Sequence, residues 1–190
     1  MPQKKNNFRK QIKTQRKRLS KEDIKQSSEG IIEQLNKNCK WDQMMVNMFL
    51  PIKKFNEPDL RLLKTTINNH GGQVCINRSD FNGLEMTPVL WNEKLSIEES
   101  EFGIPEPIDG TEVSITAIDI VLVPLLAFNK DGHRLGYGKG FYDRFLAKTN
   151  KNCLFIGINH DGDSVEFGSV QEHDIKLHHL AAPNTFLNFL

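Results

Sequence analysis

The chain has 190 residues, of which 38% are apolar, and its 25 Lys and Arg nearly balance its 24 Asp and Glu, for a formal net charge of +1. This length suits one domain of the usual size of about 100–200 residues, and the apolar content supports a buried core rather than disorder. No run approaches the roughly 18 consecutive apolar residues of a membrane span, and no short apolar stretch follows the basic start as in a secretory signal. We therefore expect a single domain over residues 1–190 in the cytoplasm, without a membrane partner.

The balanced net charge conceals a strongly basic beginning. Nine cations precede the first acid, Glu22, so the remaining chain holds 16 cations against 24 acids. The nine are Lys4, Lys5, Arg9, Lys10, Lys13, Arg16, Lys17, Arg18 and Lys21. Clustered Lys and Arg can indicate nucleic-acid contact, but this segment lacks the interleaved aromatic residues of such an arm and the remaining chain is acidic. We expect no nucleic-acid partner and a solvated helix face formed by Lys10, Lys13, Lys17 and Arg18.

The three cysteines, Cys39, Cys75 and Cys153, are far apart in the sequence and form no CxxC pair. This pattern predicts neither a disulfide framework nor a cysteine-based metal site. Cys75 and Cys153 lie within apolar runs, where a cysteine usually acts as a small buried hydrophobic residue.

Two amphipathic helices are predicted at the N-terminus. The first has an apolar stripe at near-helical spacing, flanked on one side by three cations; these residues are Phe8, Ile12 and Leu19, then Lys5, Arg9 and Arg16. Ser20 followed by Asp23 is typical of a capping box that starts a second helix, which should end before Trp41. Together the two helices form an N-terminal arm over about residues 4–38.

Strand and helix patterns alternate through the rest of the chain, which we expect to be an α/β body over about residues 41–190. Strands are predicted over residues 44–50, 73–76, 85–90, 118–128 and 153–158, and helices from Pro58 until Gly71-Gly72 and over about 141–148. The run over 118–128 is almost entirely apolar, as a central strand covered on both faces requires. Strand, helix and strand in this order form βαβ units. The expected fold class is a single-domain α/β protein with a mainly parallel sheet flanked by helices, preceded by a basic N-terminal helix.

A polar, glycine-rich loop follows the most apolar strand. In open α/β sheets, ligands bind beyond the carboxyl ends of the strands, so this loop is the place to expect chemistry. The alternating glycines let backbone N–H groups approach an anion, and Arg134 and Lys139 add positive charge; the glycines are Gly136, Gly138 and Gly140. Asp143, in the first turn of the following helix, suits a hard cation such as Mg²⁺ that bridges phosphates. The loop is neither a Walker A motif nor a GxGxxG fingerprint, but its residues predict a phosphate site with a metal.

The segment Arg134-Leu-Gly-Tyr-Gly-Lys-Gly-Phe-Tyr-Asp143 resembles the signature of the 5-formyltetrahydrofolate cyclo-ligases, also called methenyltetrahydrofolate synthetases. The resemblance extends over most of the chain through the basic helix with Lys5 and Arg9, Phe49-Leu-Pro followed by Glu57, Phe102-Gly-Ile-Pro-Glu-Pro107, Val123-Pro, and His173-Asp174. Several motifs in the correct order are far more specific than the loop alone.

The resemblance implies an enzyme that uses ATP and Mg²⁺ to cyclise a small-molecule substrate, and we expect it to act as a monomer. In that reaction the formyl oxygen of 5-formyltetrahydrofolate attacks the γ-phosphate of ATP. The nitrogen at position 10 then closes the ring, phosphate leaves, and the products are 5,10-methenyltetrahydrofolate and ADP. An amide oxygen is a poor leaving group and phosphate a good one, which explains the need for ATP.

The resemblance also implies roles for individual residues. The residues implied in ATP binding are Lys5, Arg9, Arg134, Leu135, Gly136, Tyr137, Gly138, Lys139, Gly140, Phe141 and Tyr142. Among these, Arg134 and Lys139 have the catalytic role of stabilising charge on the transferred phosphoryl group. Asp143 and Asp174 resemble the magnesium carboxylates, Glu57 resembles the residue that holds the pterin ring, and Phe102 and Tyr142 suit the walls of the folate site. Because this site includes Lys5 and Arg9, the basic start is unlike a mitochondrial presequence that is removed.

The sequence departs from the family pattern at Leu125, Asn129 and the region of His178. The family has Gly and Asp at the first two positions, and a second acid with a different ending downstream of Asp174. These departures leave open an alternative, a nucleotide-binding or nucleic-acid-binding α/β protein without ligase activity. The adjacent His178 and His179 should point to opposite faces of a strand, which argues against a shared metal.

Overall fold

A seven-stranded sheet forms the centre of the molecule in the computed structural model, which describes residues 2–190. Within these residues the strands are β1 (Met45–Met48), β2 (Gln73–Asp80), β3 (Glu85–Leu90), β4 (Ile97–Glu99), β5 (Pro105–Pro107), β6 (Ile120–Pro124), β7 (Ala127–Phe128), β8 (Arg134–Leu135), β9 (Leu154–Ile158), β10 (His179–Ala182) and β11 (Thr185–Asn188). The helices are α1 (Pro2–Arg16), α2 (Lys21–Asn38), α3 (Leu63–Asn69) and α4 (Phe141–Leu146), with 3₁₀ turns at Lys53–Phe55 and Ile115–Ala117.

The central sheet has the strand order β11-β10-β9-β6-β1-β2-β3. Its five inner strands pair in parallel, whereas β3 and β11 pair antiparallel to their neighbours at the two edges. Separate two-stranded sheets join β4 to β5 and β7 to β8. The mainly parallel α/β fold expected from the alternating strand and helix patterns is therefore confirmed.

Two predicted elements differ from the structure, and the edge strands of the C-terminal residues were not predicted. The helix expected from Pro58 begins at Leu63 instead, because the Asp59 carboxylate accepts a hydrogen bond from the Arg61 N–H at 3.1 Å and holds a turn before it. The strand expected over 118–128 is divided after Pro124, whose ring supplies no N–H to continue the ladder. The edge strands β10 and β11 have no counterpart in the pattern of the C-terminal residues.

The sheet is covered on both faces, as its apolar central strand requires. On one face, α2 and α3 pack onto the strands through Ile31, Leu35, Leu63 and Ile67. On the other face, α4 contributes Phe145 and Leu146, which cluster with Val121, Val123 and Phe128. All of these side chains are buried.

Helix α1 docks through Phe8 and Ile12 of its predicted apolar stripe, whereas Leu19 lies beyond the end of the helix at Arg16. Phe8 and Ile12 pack against Ala127, Leu135 and Phe167, so the helix lies across the segment that contains the glycine-rich loop. Helix α2 begins with the expected capping box between Ser20 and Asp23, each side chain accepting a backbone N–H of the other residue. Over residues 2–190, none of the helices combines the length and hydropathy needed to cross a membrane.

Candidate active site

A cavity of about 870 Å³ opens beyond the carboxyl ends of β1 and β6. Its walls come from the inner face of α1, the segments at 48–57 and 76–86, the β4–β5 hairpin, the glycine-rich loop at 134–143 and the segment at 169–174. Crossovers of a parallel sheet bring these segments, distant in sequence, to one edge. Every site residue predicted from the sequence lines this cavity: Lys5, Arg9, Glu57, Phe102, each residue from Arg134 to Asp143, and Asp174.

The glycine-rich loop has the backbone that its glycines predict at two of the three positions. Gly138 and Gly140 have φ values of 96° and 70°, in the left-handed region that other residues rarely adopt. Gly140 is also the N-cap of α4. Arg9 of α1 contacts the loop, and its Nε donates to the Gly136 carbonyl at 2.8 Å. A Cβ at Gly138 would approach the Arg9 Cζ to 3.1 Å, so only glycine fits beneath this guanidinium without displacement.

Two cation–carboxylate pairs lie at the loop end of the cavity. The nearly buried Arg134 guanidinium donates to Asp143 Oδ1 at 2.6 Å and to the Ile175 carbonyl at 2.5 Å. Asp143 Oδ1 also accepts the Ile175 N–H at 3.1 Å, so the two side chains are fixed together. Lys5 Nζ lies 3.4 Å from Asp174 Oδ2. Burial opposes ionisation of Asp174, but the N–H of Gln171 and the Lys5 ammonium outweigh it and hold the Asp174 pKa below its ordinary value.

The carboxylates of Asp143 and Asp174 suit a magnesium ion that binds together with a nucleotide. Among residues 2–190, no three His, Cys, Asp or Glu side chains come together as a metal cluster. Mg²⁺, however, is usually held by one or two carboxylates together with substrate phosphates and waters. Asp143 and Asp174 line the same cavity as the phosphate-type loop, so the donor set suits an ion that arrives with a nucleotide.

The opposite end of the cavity is built around the buried Glu57, which is 3% exposed. Its carboxylate accepts the Ile52 N–H at 2.8 Å and the Tyr137 hydroxyl. Burial raises the Glu57 pKa, while the bonds from Tyr137 and Ile52 and the nearby Arg16 guanidinium act in the opposite direction. A buried carboxylate with hydrogen-bond donors and a cation beside it, in the wall of a cavity, is a candidate functional group.

Aromatic rings surround Glu57 and the cavity mouth. Phe55 and Tyr137 stack with ring centroids 4.8 Å apart, and Lys13 Nζ lies 4.8 Å from the Phe55 centroid. Across the cavity, Phe102 at the hairpin tip contacts Phe81 at 4.3 Å between centroids. Flat apolar walls of this kind suit an aromatic heterocycle.

Sequence reasoning assigned no place in the site to Arg16 or Phe81, and it did not foresee that Lys13 contacts aromatic rings. Arg16 is 5% exposed and donates to the Leu125 carbonyl at 2.5 Å and to Asn159 Oδ1 at 2.7 Å. The sequence signal that could have found Arg16 was its position on the same side of the apolar stripe as Lys5 and Arg9. The predicted solvated face is confirmed for the exposed Lys10, Lys17 and Arg18, but it is wrong for Lys13, which covers the rings of Phe55 and Tyr137.

The three departures from the family pattern lie outside the cavity wall. Leu125 is buried and packs toward Gly157, where a Cβ would come within 2.7 Å of Leu125 Cδ2. Asn129 Oδ1 accepts the His133 N–H at 2.9 Å and caps its own turn. His178 Nδ1 accepts the Phe155 N–H at 3.1 Å. These three residues therefore contact the sheet and one turn rather than the cavity.

The fold and the cavity together define a class: α/β proteins with a cationic, glycine-rich ligand loop at the carboxyl edge of a parallel sheet. The sequence profile of the 5-formyltetrahydrofolate cyclo-ligase family matches residues 1–183, and the chain belongs to this family. The resemblance inferred from the loop and its companion motifs is thus confirmed.

Individual relatives agree with this assignment. A 5-formyltetrahydrofolate cyclo-ligase from Mycolicibacterium smegmatis is 30% identical over 134 residues, which are 67% of this chain and 69% of that protein. One from Mycoplasma genitalium is 49% identical over 59 residues, 31% of this chain and 36% of that protein. The chain therefore spans about a third of the Mycoplasma genitalium protein and about two thirds of the Mycolicibacterium smegmatis protein.

Solved structures share the fold along nearly the whole chain. A 5,10-methenyltetrahydrofolate synthetase from Aquifex aeolicus superposes with a TM-score of 0.78 at 26% identity, covering 97% of this chain and 92% of that one. A synthetase of the same name from Mycoplasma pneumoniae gives 0.77 at 23% identity, covering 94% and 98%, and shows the likeness of the fold alone.

Proposed function

We propose that this protein catalyses the ATP-dependent cyclisation of 5-formyltetrahydrofolate to 5,10-methenyltetrahydrofolate, with ADP and phosphate as the other products. The observation that carries the proposal is one cavity whose one end is the cationic loop and whose other end is the buried Glu57 among aromatic rings. Membership of the family supports the same activity. The two ends match the two parts of the reaction, a polyphosphate and a pterin.

The cations divide the work at the phosphate end. Arg134 is fixed by Asp143 and Ile175, so it presents its charge without reorganising when the phosphoryl group is transferred. Lys139 is exposed, and its long side chain can follow the γ-phosphate. Lys5 and Arg9 close the site from α1 and neutralise the outer phosphates. Positioning and charge neutralisation of this kind supply most of the catalysis in phosphoryl transfer.

Asp143 and Asp174 are the residues that would hold Mg²⁺. When bound with ATP, this ion neutralises charge on the phosphates and makes the leaving ADP more stable. Asp174 already has a depressed pKa, so its carboxylate is ready as a ligand once Lys5 turns to a phosphate.

Glu57 would hold the pterin. Its carboxylate can accept two hydrogen bonds from the ring edge that carries adjacent amide and amino donors. The Arg16 guanidinium favours the ionised carboxylate, since it opposes the effect of burial. The bound formyl group then faces the phosphate end. Its oxygen attacks the γ-phosphorus as ADP leaves, and the nitrogen at position 10 attacks the formyl carbon as phosphate leaves.

The test is a direct assay of the wild-type protein with (6S)-5-formyltetrahydrofolate, ATP and Mg²⁺, following the absorbance of the methenyl product. We expect turnover that disappears when ATP is omitted. Folded protein without ATP-dependent product would contradict the proposal and favour the alternative, a nucleotide- or nucleic-acid-binding protein without ligase activity.

Two variants locate the chemistry in the cavity. Lys139→Ala should lower turnover at least about 100-fold, whereas Lys130→Ala, a lysine of the same segment outside the cavity, should not. Asp143→Asn should also lower turnover at least about 100-fold while keeping an acceptor for the buried Arg134. Wild-type rates for both cavity variants would show that the assigned site is wrong.

A further inference from the structure

Tyr137 lies in the glycine-rich loop, but its side chain belongs to the opposite end of the cavity. The hydroxyl donates to Glu57 Oε1. The ring stacks on Phe55 with an interplanar angle of 22°, and Lys13 Nζ lies 5.1 Å from the Tyr137 centroid and 4.8 Å from the Phe55 centroid. One residue therefore joins the two halves of the proposed active site.

The hydrogen bonds at Glu57 leave two of its lone-pair sites free to accept from a ligand. A carboxylate has about four lone-pair sites, two on each oxygen. The Ile52 N–H occupies one site on Oε2, and the Tyr137 hydroxyl occupies one on Oε1. One site on each oxygen remains, which is the pattern that accepts two parallel donors from a flat ring edge. Tyr137 therefore orients the carboxylate instead of competing with that ligand.

The tyrosine stays a donor under ordinary conditions. Burial and the neighbouring Glu57 charge both raise the Tyr137 pKa, so the hydroxyl keeps its proton. A protonated hydroxyl also helps to keep Glu57 ionised, because it stabilises the charged carboxylate.

The backbone that carries Tyr137 is the segment proposed to wrap the nucleotide phosphates. It is flanked by Gly136, whose carbonyl is bonded to Arg9, and by Gly138 with its left-handed backbone. A phosphate ligand that fixes this segment also fixes the Tyr137 hydroxyl against Glu57. By thermodynamic reciprocity, a ligand that holds Glu57 must favour the same loop conformation to the same degree.

We propose that Tyr137 is a positioning residue that couples the two substrates: through its bond to Glu57, nucleotide at the loop strengthens pterin binding, and pterin strengthens nucleotide binding. This inference rests on the proposed function for the identity of the two ligands. It concerns equilibrium binding, so it can fail while the catalytic proposal stands.

The test measures binding of 5-formyltetrahydrofolate by calorimetry with and without a non-hydrolysable ATP analogue and Mg²⁺. For the wild type, we expect the analogue to tighten folate binding about 5- to 50-fold, within the usual range of coupling between sites. Tyr137→Phe keeps the stacked ring and removes only the hydroxyl. It should reduce the coupling to less than about 2-fold.

A double-mutant cycle separates coupling from a general loss of structure. If the hydroxyl acts through Glu57, adding Tyr137→Phe to Glu57→Gln should weaken folate binding no further than Glu57→Gln alone. Additive losses would overturn the proposal, and so would full coupling in Tyr137→Phe or independent binding of the two ligands in the wild type. Absence of ATP-dependent cyclisation in the wild type would instead count against the proposed function.

Discussion

The two faces of α1 carry the same charge in different surroundings. On the inner face, Lys5 pairs with Asp174, Arg9 bonds the loop, and Arg16 is buried beneath the cavity. On the outer face, Lys10 is exposed, as are Lys17 and Arg18 just beyond the end of the helix. The same residue types therefore serve binding, packing and solvation, according to where the apolar stripe docks the helix.

The cations of the inner face differ in how deeply they are buried. Lys5 and Arg9 border the open cavity and are half-buried, whereas Arg16 is 5% exposed and its Nη2 donates to two protein acceptors. Replacing Lys5 and Arg9 should lower activity, whereas replacing Arg16 should lower the free energy of unfolding. Four predictions test this gradient.

The largest effect is expected from Arg16→Ala. It removes a buried charge and leaves the Leu125 carbonyl and Asn159 without their donor, at a cost of about 3–5 kcal/mol in the free energy of unfolding. Chemical denaturation measures this cost, with Arg18→Ala as the matched control, expected within about 0.5 kcal/mol of the wild type. A loss below about 1 kcal/mol for Arg16→Ala would mean that the buried Arg16 does not stabilise the fold as proposed.

The free energy of unfolding should depend on pH through His160, which lies near Arg16. Its Nε2 donates to the Asn56 carbonyl at 2.7 Å, and its Nδ1 accepts the Ser27 hydroxyl at 2.7 Å. Burial and, to a lesser degree, the Arg16 charge lower its pKa to about 4. An unfolded histidine titrates near pH 6.5, so between these values the unfolded chain binds more protons.

The stability that this histidine provides is therefore present above about pH 6.5 and lost as the pH falls toward 4. The pKa difference corresponds to about 3 kcal/mol. His160→Gln should remove this part of the difference between unfolding free energies measured at pH 7 and pH 4.5, whereas His70→Gln, at an exposed histidine, should not. Equal pH dependence in the wild type and His160→Gln would refute the assignment.

A smaller effect, on binding rather than folding, is expected from Lys5→Ala combined with Arg9→Ala. Loss of two phosphate partners should raise the Michaelis constant for ATP about 10- to 100-fold, which corresponds to about 1.4–2.7 kcal/mol. The unfolding free energy should change by less than about 1 kcal/mol. An unchanged ATP dependence would remove α1 from the nucleotide site.

The smallest effect is expected from Lys17→Glu combined with Arg18→Glu. This variant reverses two charges of the same basic segment, yet turnover and the Michaelis constant for ATP should stay within about 2-fold of the wild type. Steady-state kinetics at low salt provides the most sensitive measurement, because exposed charges are least screened there. A loss comparable to that of the inner pair would show that total charge matters more than the face that carries it.

Much of the fold could be predicted because its signals are local. The capping box of Ser20 and Asp23 forms within three residues, and the apolar strand before the loop needs both faces covered wherever it lies. The misplaced start of α3 and the division after Pro124 depend on single side-chain and backbone details. The edge strands β10 and β11 depend on partners that are distant in sequence.

By itself, the sequence determined the family, because several of its motifs occur in order, and it determined the glycine-rich loop and the predicted residues that line one cavity. Only the tertiary structure decided that Arg16 is buried, that Lys13 covers two rings, and that the Tyr137 hydroxyl reaches Glu57. Those contacts join residues far apart in the chain. Their geometry depends on how α1, the loop and β1 meet at one edge of the sheet.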